Sequence, residues 1–129
     1  MYLALRSDNP TAELYLYDGD TLITSQVWLA HRELSATIHY KIKLVCETAG
    51  IPLSYLTGII FYQGPGSFTG LRIGAAVANA LGASLDIPVV GVSQEDWITQ
   101  GIAKLSAMYG FVAIEPFYGS DAVTTSPKK

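Results

Sequence analysis

The chain of 129 residues has a single cysteine, Cys46. No internal disulfide can form, which excludes a secreted disulfide scaffold. Cys46 falls in a helical pattern and reads as a small buried apolar residue. Positive charge is also scarce: eight Lys and Arg against eleven Asp and Glu leave a net charge of −3. Bulk attraction to nucleic acid is therefore absent, and a partner must supply most of any such affinity. No basic stripe is visible apart from Lys128-Lys129. No apolar run approaches the ~20 residues of a membrane span. The N-terminal "MYLALRSDNP" has neither the basic n-region nor the long apolar h-region of a signal peptide. A soluble cytoplasmic protein is expected. Half the residues are apolar and 15% are charged, which excludes a disordered chain and allows one domain with a real core.

The hydrophobic pattern changes period along the chain. "MYLAL" is a short apolar run ended by the turn-rich "RSDNP". "TAELYLY" and "TLITSQVWL" flank Asp18-Gly19-Asp20 and read as a β-hairpin. The second run alternates, with Leu22, Thr24, Gln26 and Trp28 on one face and Ile23, Ser25, Val27 and Leu29 on the other. Three opening strands in a meander are expected. Leu34, Ile38, Ile42, Val45 and Ala49 then fall at helical spacing, and Gly50 stops them. "TGIIFYQ" reads as a strand buried on both faces. Gly64 to Gly70 form a loop, "LRIGAAVANALGASLD" a helix, and "IPVVGV" a strand. Ser93 is placed to cap the next helix, with Glu95 and Asp96 in its first turn and Ile98, Ile102, Leu105 and Tyr109 on its apolar face. "FVAIEPF" offers one more short strand. The polar "YGSDAVTTSPKK" has no pattern and predicts a mobile tail. The order βββαβαβα implies an α/β fold with a mixed sheet and helices packed on it. Residues 1–115 form this lobe and 116–129 the tail.

The stretch "QGPGSFTGLRIG", Gln63 to Gly74, joins a strand to a helix through glycines. Such junctions often cradle phosphate. This one ends in Gly70-Leu71-Arg72 where a Walker A loop needs Gly-Lys-Ser/Thr. Gly64, Gly66 and Gly70 also miss the spacing of a dinucleotide fingerprint. The helix suggests another use. Gly70, Gly74, Ala78 and Gly82 recur every four residues and make a nearly smooth stripe. The stripe packs either on the protein's own sheet or on a helix of another subunit. Interior glycines each cost up to ~1 kcal/mol against Ala, so close approach is expected to offset them. Ser67 or Thr69 is expected to cap the helix, and Gly64 and Gly66 to supply unusual φ angles.

These residues resemble the TsaB (YeaZ) family, whose signature is "GPGSFTGLRIG", Gly64 to Gly74. "AHRELSATI" is similar to the family's His-x-Glu-Leu start of its first long helix, at His31, Glu33 and Leu34. "AGIPLSYLTGI" and "LDIPVVGVSQEDWI" are similar to segments flanking the signature helix. The resemblance covers about residues 1–110, the family's N-terminal lobe only. It implies a single actin-like ATPase, RNase H-like lobe. It also implies a role in making N6-threonylcarbamoyladenosine at position 37 of tRNA. In that role the chain is a non-catalytic subunit that supports a TsaD-type transferase as a heterodimer. TsaE is a further ATPase partner, and tRNA is contacted only indirectly. The family pairs through N-terminal-lobe helices. This nominates Glu33, Leu34, Ile38, Ile42, Ser67, Phe68, Thr69, Gly70, Arg72, Ile73, Gly74, Val77, Ala78 and Leu81 as a partner interface.

Two departures from the family pattern bear on chemistry. The first strand normally ends in Asp-Thr, a phosphate position elsewhere in the superfamily. Here the matching residues are Arg6 and Ser7, and Asp8 comes two residues late, expected on a different side of the chain. The resemblance also leaves out a second lobe, and with it the cleft that holds nucleotide in two-lobed relatives. Catalytic relatives hold metal through His-x-x-x-His on a helix. Here His31 is followed by Ser35 at that spacing, and His39 lies two turns away. No catalytic residue, metal or cofactor is therefore expected. The alternatives are a nucleotide-binding actin-like ATPase or glycoprotease-like hydrolase, and a homodimeric module that pairs through the same helices.

Overall fold

Five strands form one sheet in a computed structural model that describes residues 1–107. β1 (Tyr2–Arg6), β2 (Thr11–Asp18) and β3 (Thr21–Leu29) form the antiparallel meander. The β2–β3 turn is closed by Gly19 at φ 63°, where a residue without Cβ is the natural choice. β4 (Gly58–Tyr62) and β5 (Val89–Val92) then add in parallel beside β1, giving the order β3-β2-β1-β4-β5. Each parallel step requires a crossover, supplied by α1 (Leu34–Ala49) and α2 (Phe68–Leu85). α3 (Trp97–Leu105) follows β5. The element order is the one that the change of hydrophobic period predicts.

Strand alternation divides the core into two layers. Leu3 and Leu5 of β1 and Ala12, Leu14 and Leu16 of β2 face α1 and α2, joined by Ile59 and Phe61. Ala4, Ile60, Tyr62, Val90 and Val92 face the other way, beneath Trp97 and Leu105 of α3. All five residues of β4 are buried, as its unbroken apolar run requires. α1 ends at Gly50, whose φ of 73° gives the left-handed cap.

Helix starts differ from the sequence reading. α2 begins at Phe68 rather than Leu71, because Ser67 is its cap and accepts from the Gly70 amide at 3.4 Å. Thr69 lies in the first turn and is not the cap. α3 begins at Trp97, and Ser93 makes no cap. Gln94 at φ 81° turns the chain, and Gln100 bonds the Asp96 carboxylate at 2.8 Å. A 3-10 turn at Leu53–Tyr55 has no counterpart in the sequence reading. Tyr109, the "FVAIEPF" strand and the tail lie outside the described residues.

Candidate functional site

The glycines of the signature are consumed by the protein's own packing. Gly64 has φ 109° and precedes a cis bond to Pro65. Gly66 has no left-handed φ. Its need is space, since a Cβ there would collide with the Asp8 side chain. A Cβ at Gly70 would enter the Ser7 carbonyl, and one at Gly74 would meet Ser7 Oγ and the Phe61 ring. The α2 backbone therefore lies directly against the end of β1. Ser7 Oγ donates to the Gly70 carbonyl at 2.8 Å, and the Ser67 amide donates to the Asp8 carbonyl at 3.1 Å. The amides of Ser67, Gly70 and Leu71 are taken by protein acceptors.

The stripe Gly70, Gly74, Ala78 and Gly82 thus faces the sheet. Ala78 is 1% exposed, and Gly74 and Gly82 are buried. Within this chain Gly74, Ala78 and Gly82 are thus covered by its own core. Leu34 and Ile38 of α1 are likewise core residues, while Ile42 and Val77 lie at the core's margin and reach the α1–α2 groove. Glu33, Ser67, Phe68, Thr69 and Arg72 are exposed, and Ile73 and Leu81 are half-buried. The Arg72 guanidinium sits 5.3 Å from the Phe68 ring centroid.

The structure brings a different set together. α1 and α2 leave between them an open groove of about 640 Å³. Ile42, Cys46, Ile51, Leu53, Val77 and Leu81 supply apolar walls, and His39, Lys43 and Glu47 form a polar rim on α1. Ala80 and Ser84 line it from α2, where small side chains keep it open. The Cys46 thiol is pushed up by burial, which keeps it protonated and inert. The sequence reading missed His39, Lys43, Glu47 and Ala80. His39, Lys43 and Glu47 each follow a buried position, Ile38, Ile42 and Cys46, and in sequence read as a solvated helix face.

At the end of β1, Arg6 Nε donates to Asp8 Oδ1 at 2.8 Å and its second nitrogen to Oδ2 at 3.2 Å. The two side chains share one side of the chain, contrary to the sequence reading, because residues two apart on an extended segment point the same way. Arg6 also stacks over Tyr62 at 3.9 Å. The carboxylate at this position is therefore already paired with a cation. His31 and His39 are both exposed, and no three His, Cys, Asp or Glu among the described residues gather as metal ligands.

The family described as TsaD, tRNA N6-adenosine threonylcarbamoyltransferase, matches residues 25–107. The chain belongs to this TsaB/TsaD family. It is 29% identical over 99 residues to the TsaB biosynthesis protein of Escherichia coli strain K12, covering 77% of this chain and 42% of that protein. The TsaB protein of Haemophilus influenzae is 32% identical over 98 residues, covering 76% and 41%. A transferase of Geotalea daltonii is 33% identical over 87 residues, covering 67% and 26%. YeaZ from Pseudomonas aeruginosa superposes with a TM-score of 0.67 at 29% identity, over 71% of this chain and 43% of that one. The chain spans about two fifths of the length of the curated TsaB relatives it matches. Among the described residues, no helix is long and apolar enough to cross a membrane.

Proposed function

We propose that the chain is a non-catalytic TsaB-like subunit that binds and supports a TsaD-type transferase in N6-threonylcarbamoyladenosine modification of tRNA. The observation that carries this reading is the open apolar groove between α1 and α2, the latter being the helix that the family signature begins. Its apolar walls and polar rim suit an amphipathic helix of a partner. The paired Arg6 and Asp8 further favour a supporting role, since no unpaired carboxylate stands at the β1 terminus. The interface comprises the outer residues Glu33, Phe68, Thr69, Arg72, Ile73 and Leu81, extended by His39, Lys43, Glu47 and Ala80. A TsaE-type ATPase joins the assembly through the transferase complex, and the setting is cytoplasmic. Mixing the chain with the TsaD-type protein of its own organism tests the reading. A heterodimer by light scattering together with raised threonylcarbamoyl transfer to tRNA is the expected result. A chain that stays apart, or that transfers the group unaided, overturns it.

A further inference from the structure

His39, Lys43 and Glu47 follow one another by single turns of α1 and form the polar rim of the α1–α2 groove. The facing wall is neutral, since α2 carries no charged residue from Ile73 to Leu85. Lys43 and Glu47 are both exposed. Among the described residues their side chains form no ion pair and no hydrogen bond. They stand at i and i+4 with the cation first, which is the weaker order for a pair within one helix. Glu47 is also placed against its own helix. It lies in the last turn of α1, where the Cys46 and Glu47 carbonyls accept the closing bonds from Gly50 and Ile51 and no basic residue is present. A carboxylate at that negative end of the helix dipole is unfavourable, whereas a lysine there would stabilise the turn. No contact among the described residues offsets the cost.

We propose that Glu47 is the residue by which the groove selects its occupant: it receives a Lys or Arg of the partner's helix, while Lys43 receives an Asp or Glu one turn along. The inference rests on the proposed pairing with a TsaD-type transferase and adds the chemistry of the docked helix. That helix has an apolar stripe against Ile42, Cys46, Val77 and Leu81, edged by one cation and one carboxylate a turn apart. An ion pair at the edge of an apolar groove discriminates more than it tightens, because a wrong partner leaves a charge unmatched where water is partly excluded. The order Lys43 then Glu47 also rejects the same helix laid in the reverse direction, since reversal sets like charges against each other. A second copy of this chain is the rival occupant. With α1 against α1 about a two-fold axis, Lys43 again meets Glu47. The exchange K43E/E47K keeps that self-match and destroys the match to a different helix.

Titration of the full chain against the TsaD-type protein of its own organism, read by biolayer interferometry, tests the proposal. E47K is expected to weaken the heterodimer by about ten-fold or more, E47Q by less, and K43E/E47K by more than E47K alone. Without the partner, E47K is expected to raise the melting temperature by a few degrees, because the last turn of α1 gains a cation at its negative end. Weaker binding by a more stable chain excludes misfolding as the cause. Equal affinity of wild type and E47K, a heterodimer that K43E/E47K leaves intact, or a lower melting temperature in E47K each overturns the proposal while the pairing itself stands. Failure of the wild-type chain to bind overturns the proposal and the proposed function together.

Discussion

Ser7 and Gly70, 63 positions apart in sequence, are joined by a hydrogen bond of 2.8 Å from the serine hydroxyl to the glycine carbonyl. The bond fixes the first turn of α2 on the last residues of β1. One turn later, Gly74 leaves room for the same hydroxyl and for Phe61. Replacing Gly74 with Ala is expected to destabilise the fold by about 1–3 kcal/mol through overpacking, despite the better helix propensity of Ala. Urea denaturation measures it, and an unchanged midpoint would count against this packing.

Ala78 and Ala80 lie two residues apart on α2 and are expected to respond oppositely. Ala78 is 1% exposed beneath the helix, and Ala80 is exposed in the groove. Ala78→Trp is expected to lower stability by about 1–3 kcal/mol or more. Ala80→Trp is expected to keep its melting temperature and circular dichroism while losing the transferase partner. Paired thermal melts and light scattering distinguish the two outcomes.

The Arg6–Asp8 pair predicts an asymmetry. Asp8 is 7% exposed and Arg6 24%, so the carboxylate suffers more when left alone. Arg6→Ala is expected to cost about 1–3 kcal/mol, and Asp8→Ala less, because the freed guanidinium still reaches water and still stacks on Tyr62. The double variant is expected to recover part of the Arg6→Ala loss. A double-mutant cycle by denaturant titration reads the coupling, and a coupling of zero would show the pair to be idle.

How far such contacts could be read beforehand differs from element to element. The strands and α1 were legible because their apolar period matches one buried face. The glycine stripe was legible as a request for close approach, but not as to its neighbour. Ser7 is far away in sequence, and no periodicity encodes which surface a smooth helix face meets. The α1–α2 groove was hidden for the same reason. His39, Lys43 and Glu47 look like an ordinary solvated face until Ala80 and Ser84 arrive opposite them. Ser93 misled because a capping residue competes with its local turn, and the left-handed Gln94 decided against it.

Tyr15 carries an alkaline dependence. Burial, then the hydrogen bond to Glu13 Oε1 at 2.7 Å, pushes its phenol up to about 12. An unfolded tyrosine ionises near ~10. The stabilisation is therefore complete below pH ~10 and is lost as pH rises toward 12, because the unfolded chain deprotonates first. The melting temperature is expected to fall between about pH 9.5 and pH 11.5, and Tyr15→Phe to flatten that fall. An equal slope in wild type and variant would remove Tyr15 as the cause.

The chain has two tryptophans, and the sheet separates them. Trp28 lies over the helical layer, donating to Thr37 Oγ1 at 2.9 Å with the Lys41 ammonium 5.6 Å from its ring. Trp97 is buried on the opposite face, edge-on to Tyr62 at 5.8 Å and to Tyr15 at 6.3 Å. Each indole is thus a private optical reporter of one layer. With Trp28→Phe the fluorescence follows the α3 side alone, and with Trp97→Phe it follows the α1 side alone. Melting of the α1 layer and melting of the α3 layer become separate signals in one cuvette, without any attached dye.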